Sequence, residues 1–259
     1  MGASSDIGLA LVHNWLLRSI EIIGSYRTNS PSLEIIRTKF YALEKCDFSD
    51  PASIKDFVKT IADHEFKWDY LVICPGTMEP LGNFESVDIE KWCAGFEVNF
   101  LATMRVIHGL LPLRAQNGCP LVLLFTGGGT NSAPVAISAY TSAKIAMIKA
   151  VELLNAEVLD VRFTILGPGW VKTKIHSETL RAVAVVPTNA AETTRRLKDN
   201  DFNPMSRVVD CVDWVMEASR DLVGGRNFSV VHDQWGTSNL ELRLLKDKEL
   251  FKLRRTGNN

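Results

Sequence analysis

The chain lacks most of the features that place a protein in a class at sight. None of its five cysteines stands in a C-x-x-C pair, and the odd number excludes a closed disulfide framework. Cys46, Cys74, Cys93, Cys119 and Cys211 therefore read as reduced thiols of a cytoplasmic protein. No basic, apolar leader opens the sequence, and no apolar run is long enough to span a bilayer, so neither export nor a membrane partner is expected. Neither sign of charge is in excess. The 29 Lys and Arg against 30 Asp and Glu leave a net charge of −1, which gives no electrostatic footing for nucleic acid. Internal repeats, low-complexity linkers and metal-ligand clusters are missing as well, so no metal is expected.

What is present is enough apolar material for one large core. With 259 residues and 46% hydrophobic side chains, a single α/β domain over 1–259 is expected. Short apolar runs alternate with longer amphipathic ones. Helices are expected over Ile7–Leu17, Ser32–Lys39, Pro51–His64, Asp88–Leu113 (one or two), Ser138–Leu159 and Met205–Ser219. Strands are expected in "IEIIGSY" (Ile20–Tyr26), "FYALEKCD", "DYLVICPG", "PLVLLFTGGG", "VRFTILGPGW" and "GRNFSVVH". Strands alternating with helices of this length imply a doubly wound parallel sheet with helices on both faces. Residues 172–204 read as a polar, poorly periodic stretch, and 240–259 as a solvated amphipathic tail. Ligands of such sheets bind beyond the carboxyl ends of the strands, which directs attention to the loops after Tyr26, Cys46, Ile73, Phe125 and Leu166.

Two of those loops carry chemistry. "GASSDIG" places Gly2 and Gly8 around small polar residues at the start of a helix, a turn suited to a pyrophosphate. "YTSAK" places Tyr140 and Lys144 four residues apart on one helical face. A free phenol has a pKa of roughly 10, and a neighbouring ammonium lowers it toward the range of a general acid or base. The end of the second expected strand, "SYRTN", has no carboxylate for a ribose diol and offers Arg27 to a 2′-phosphate, which favours NADP over NAD.

These segments, in this order, together with "CDFSD", "ICPG", "EVNF" and "GPGWVKT", resemble the short-chain dehydrogenase/reductase family over nearly the whole chain. The resemblance implies a Rossmann-type fold, an NAD(P)-dependent oxidoreductase and a carbonyl or alcohol substrate. It makes Tyr140 the general acid/base, gives Lys144 the tyrosine and the nicotinamide ribose, and gives Asn99 a proton relay. To the dinucleotide it assigns Gly2, Ser4, Ser5, Ile7, Gly8, Arg27, Asp47, Phe48, Pro75, Gly76, Pro168, Gly169, Val171 and Thr173, besides Tyr140 and Lys144. It makes 172–204 a substrate lid containing His176, puts Met78, Leu81 and Trp170 near the substrate, and implies a homodimer or homotetramer built on Val98–Leu113 and Ala143–Leu159. Asp47 has a plainer reading as a helix cap, which Ser49 or Asp50 could serve instead.

The chain departs from the family in three places. Asp6 replaces the second glycine of the turn, and a carboxylate there must point away from a bound phosphate. Cys74 and Pro75 replace most of an asparagine-rich segment. Gly127 stands thirteen residues before Tyr140, where the family has a serine that polarises the substrate oxygen. Thr126, Thr130 or the backbone N–H groups of Gly127–Gly129 are the available substitutes. The family's turn follows a first central strand, and Met1 stands at that strand's last position. The expectation is therefore a shortened or late-started form whose sheet lacks its first strand and carries a void. Two other readings remain at this stage: a catalytically weak dinucleotide-binding protein used for regulation or scaffolding, and a sugar-nucleotide epimerase or dehydratase.

Overall fold

A computed structural model describes residues 1–255. The chain begins with α1 (Asp6–Leu17), β1 (Ile23–Tyr26), α2 (Pro31–Ile35), β2 (Ala42–Lys45), α3 (Pro51–Asp63) and β3 (Tyr70–Ile73). Next come α4 (Ile89–Phe96), a π turn (Glu97–Leu101), α5 (Ala102–Leu110), β4 (Leu121–Phe125), α6 (Ser138–Glu157) and β5 (Arg162–Gly167). The last part holds α7 (His176–Arg181), α8 (Pro187–Asp199), α9 (Met205–Glu217), α10 (Arg220–Val223), β6 (Arg226–Ser229) and α11 (Ser238–Lys246).

Strands β3, β4, β5 and β6 lie side by side in that order, all parallel. One row of the register runs Val72–Leu123–Thr164–Arg226 across the sheet. The continuous apolar run of β4 is buried at all five positions because helices cover both faces. Its side chains alternate as a pleated strand requires. Val122 and Leu124 pack with residues of α3, α5 and α6, whereas Leu121, Leu123 and Phe125 pack with Leu11 of α1 and with α9 and α11. The expected parallel α/β architecture is present.

The strands do not form one continuous ladder. β1 and β2 make a separate parallel pair, and Met1–Ala3 bridge the interval to β3. The Met1 ammonium donates to the Val72 carbonyl at 2.7 Å, Cys74 N–H donates to Met1 O at 3.3 Å, and Ala3 N–H donates to Ser25 O at 2.7 Å. A cavity of about 30 Å³ lined by Ala3, Leu11, Trp15, Ile22 and Val72 remains beside them. The indole N–H of Trp15, among the residues lining it, has no hydrogen-bond partner among the described residues. Burial pushes the Met1 ammonium below its ordinary pKa.

Two expectations need correction. The stretch 172–204 is not irregular: it contains α7 and the thirteen-residue α8. Its polarity reflects a helix with one narrow buried edge, Ala190 and Thr193. The tail is solvated along residues 246–249 but packed on either side of them. Leu240 and Leu244 are buried, Leu250 and Phe251 pack on the core, and Asn227 N–H donates to Phe251 O at 2.9 Å. Arg254 closes this segment onto Glu152 of α6, holding that carboxyl down at about 2. Residues 256–259 of the expected tail lie outside the described residues. No helix among the described residues is long and apolar enough to cross a membrane.

Three arginines close helix C-termini inside the fold. Arg162 donates to the carbonyls of Met216 and Ala218 at the end of α9, Arg220 to Asn155 and Val161 at the end of α6, and Arg226 to Leu244 at the end of α11. Each guanidinium fills several orphan carbonyls at the negative end of a helix dipole. Arg162→Ala should cost about 2–4 kcal/mol in thermal or denaturant unfolding, because buried carbonyls lose a charged donor. A loss below about 1 kcal/mol would show that water replaces the guanidinium.

Candidate active site

The opening turn is built for close approach. Gly2 has φ +75°, and a Cβ on Gly8 would lie 2.2 Å from Gly2 O, so only glycine lets the helix start meet the turn. Ser5 is the N-cap of α1: its hydroxyl accepts from Gly8 N–H at 3.1 Å and donates to Gly2 O at 2.8 Å. The first two helix N–H groups, those of Asp6 and Ile7, have no acceptor among the described residues and point out of the helix end. An anion fits such an end. Ser4 is half-buried beside it. Asp6 is turned away from the turn, as the phosphate reading requires, but its partner is the lid: it accepts Lys174 N–H at 2.7 Å, with Lys174 Nζ at 3.9 Å.

Tyr140 and Lys144 lie on the first turns of α6, across from the end of β4. A Cβ on Gly127 would sit 2.3 Å from the Tyr140 Oη and 2.6 Å from its ring, so the phenol rests directly on the glycine backbone. The family's serine position is thus filled by the tyrosine itself. Lys144, 5% exposed, donates to the Phe125 carbonyl at 2.9 Å and stands 5.6 Å from the Tyr140 ring centre. Its ammonium is pushed down to about 8 by burial. The phenol is pushed up to about 12, by burial first and then by the charge of Glu178. This reverses the direction expected from the Tyr–Lys spacing, because burial disfavours the charged form of each group and the Glu178 carboxylate adds to that effect at the phenol. Thr126 is 5% exposed, its hydroxyl has no partner among the described residues, and its methyl faces Gly167. Thr130 is exposed.

Asn99 sits in the π turn between α4 and α5, fully buried. Its amide accepts from Thr77 N–H at 3.1 Å and donates to Thr77 O and Gly95 O at 2.8 Å each. The side chain is therefore occupied with holding the loop after β3 rather than free for a relay. Gly76 lies under it, where a Cβ would be 3.1 Å from Asn99 Oδ1 and 3.6 Å from Lys144 Nζ. Pro75 packs on Gly2. Cys74 is half-buried, and its thiol is pushed up to about 11 by desolvation, which makes it inert.

After β5, Pro168 and Gly169 (φ +75°) turn the chain out of the sheet, and Asn203 pins the turn by donating to Pro168 O at 2.9 Å and to Trp170 O at 2.7 Å. Val171 is buried, and its carbonyl accepts from His176 Nε2 at 2.8 Å. His176 stacks on Trp170 at 3.8 Å, with Arg196 over the same indole at 5.6 Å. Burial lowers the histidine pKa, so a neutral ring donates to Val171. Asp6, Lys172, Thr173, Lys174, His176 and Ser177 line an open cavity of about 390 Å³. On the far side, Arg27 is exposed at the end of β1 and within electrostatic reach of Asp47. Asp47 accepts from Ser49 N–H and hydroxyl, while Asp50 caps α3. Phe48 is buried in the core.

The geometry brings Tyr140, Lys144, Gly76, Asn99 and Thr126 together at the carboxyl ends of β3 and β4. Three residues absent from the sequence reading complete the site: Thr77, Glu178 and Asn203. Thr77 was within reach of inspection, one residue beyond "ICPG". Glu178 and Asn203 carry no local signal, since their partners lie far away in sequence.

Comparison with known proteins follows from this arrangement. The model of the short chain dehydrogenase family matches residues 1–184. An uncharacterized oxidoreductase of Schizosaccharomyces pombe is 26% identical over 177 residues, covering 66% of this chain and 69% of the relative. A short chain dehydrogenase/reductase structure from Saccharomyces cerevisiae superposes with a TM-score of 0.76 at 20% identity, over 92% of this chain and 95% of that one. The actinorhodin polyketide ketoreductase structure with NADPH gives 0.75 at 19% identity, over 88% and 93%.

Proposed function

The chain belongs to the short-chain dehydrogenase family, and from that premise we propose that it is an NADP-preferring oxidoreductase acting on a small carbonyl or alcohol substrate. The observation that carries this reading is the convergence of a protonated phenol, a buried ammonium and a free helix N-terminus around the carboxyl ends of β3 and β4. When bound, the dinucleotide supplies or accepts the hydride. The chain's own residues do the rest. The N–H groups of Asp6 and Ile7 and the close approach at Gly2 and Gly8 suit the pyrophosphate. We assign Ser4, Pro75, Gly76, Pro168, Gly169, Val171 and Thr173 to the same dinucleotide, and Arg27, Asp47 and the backbone at Phe48 to its adenine half.

Tyr140 donates the proton to the substrate oxygen in reduction, since a phenol near pKa 12 stays protonated at neutral pH. Lys144 supplies positive charge near the developing phenolate. Asn99 holds the loop that carries Gly76 and Thr77. We assign the whole of 1–259 to one domain with 172–204 as its substrate lid, and a homodimer or homotetramer to the faces holding Leu101 and Leu153, which are 39% and 51% exposed. The unpaired cysteines suit the cytoplasm.

The test is NADPH and NADH oxidation against a panel of aldehydes and ketones, with coenzyme titration followed by fluorescence. Turnover with NADPH supports the reading. Binding without turnover would favour a weak dinucleotide-binding protein, to which the missing hydroxyl at Gly127 lends its weight. Arg27→Ala should weaken NADPH by about 1.5–3 kcal/mol and leave NADH unchanged, because only the 2′-phosphate meets the guanidinium. Equal losses for both coenzymes would remove Arg27 from phosphate recognition.

A further inference from the structure

Glu178 lies on α7, with its carboxylate turned inward. Oε2 accepts the Thr77 hydroxyl at 3.1 Å and the Met78 N–H at 2.7 Å. The next residue, Thr179, is 2% exposed and turns its hydroxyl to the Met78 sulfur at 3.7 Å. Thr77 is in turn gripped on both its N–H and its carbonyl by Asn99. One chain of hydrogen bonds therefore runs from the lid, through the loop after β3, to the π turn beside Lys144. Asp6 fastens the same lid just ahead of α7 through Lys174 N–H.

We infer that Glu178 is a positioning residue for the Tyr140 site, fastening lid helix α7 to the loop that Asn99 holds, so that the cover and the floor of the substrate pocket are set together. This rests on the reading of Tyr140 as the proton-transfer group. The groups facing Glu178 are the donors Thr77 and Met78, the phenol of Tyr140, and the Glu79–Arg181 pair, itself 3.6 Å apart. Burial and the Glu79 charge raise the carboxyl pKa more than the two donors and Arg181 lower it. A carboxyl whose pKa is higher with the lid down than in solvent favours the lid-down form when protonated. The latch therefore depends on the acceptor oxygen, not on the charge, and acid tightens it. The charge has a separate effect, since it raises the Tyr140 phenol.

Two variants separate these roles. Glu178→Ala removes the acceptor and the charge; Glu178→Gln removes the charge alone. Amide hydrogen exchange over 172–186 and 77–80 should quicken by about tenfold in Glu178→Ala and stay at the wild-type rate in Glu178→Gln. In carbonyl reduction, Glu178→Ala should raise KM by about tenfold with a smaller change in kcat, and Glu178→Gln should leave KM unchanged. Both should move the phenol's step of the basic limb, which lies above that of Lys144, to lower pH. Unchanged lid exchange in Glu178→Ala overturns the latch, and an unmoved phenol step in Glu178→Gln overturns the influence on the phenol. The exchange measurement needs no turnover, so a chain inactive on every carbonyl would refute the proposed function while the latch is still decided.

Discussion

Tyr140→Phe should lower turnover by about 10²–10⁴-fold, the range for loss of a general acid, while NADPH affinity stays at the wild-type value. Phenylalanine preserves the ring that packs over Gly127 and beside Lys144. Only the oxygen leaves, and with it the proton. The phenol is held high at about 12 and stays a proton donor through neutral pH, so carbonyl reduction should first fall as the Lys144 ammonium, held down at about 8, loses its charge. Steady-state turnover with parallel coenzyme titration separates the steps. Substantial activity in Tyr140→Phe would move the proton source elsewhere, with the orphaned Thr126 hydroxyl the nearest candidate.

Gly127→Ser should lower turnover by about 100-fold, although it installs the hydroxyl that the family resemblance finds missing. The Cβ alone would lie 2.3 Å from the Tyr140 oxygen and 2.7 Å from the ring carbon that bears it. The clashing atoms are the far end of the half-buried Tyr140 side chain, so it is the phenol that gives way, displaced by about an ångström. Gly127→Ala serves as the control, since it carries the same Cβ without a hydroxyl. The two variants should lose turnover alike and keep NADPH affinity. Activity above wild type in Gly127→Ser would mean that the phenol swings freely and that the site lacks only a hydroxyl.

The same pair of residues shows where reading a sequence stops. Tyr140 and Lys144 are recognisable from a four-residue spacing, and the helix that carries them follows from its apolar face. Their protonation states do not follow from that spacing. They depend on burial, which disfavours the charged form of both, and on Glu178, which adds negative charge near the phenol. Asn99 was legible as a site residue, yet its occupation by Thr77 and Gly95 required the π turn to be seen. The lid read as a loop because α8 buries only one narrow edge, and the tail read as solvated because Leu250 and Phe251 reach their partners only across the sheet edge.

By itself, then, the sequence determined the parallel α/β plan, the glycine turn at the head of α1 and the pairing of Tyr140 with Lys144 on one helical face. Each of these is written in local periodicity, in residues that only certain backbone shapes accept, or in side chains one helical turn apart. The tertiary structure alone decided that the phenol rests on Gly127, that Asp6 and Glu178 both fasten the start of the lid, and that Arg162, Arg220 and Arg226 close helices other than their own. Those contacts join residues of different elements, as near in the chain as Tyr140 and Gly127 and as far as Asp6 and Lys174, where burial, charge and hydrogen bonding are set by which elements pack together.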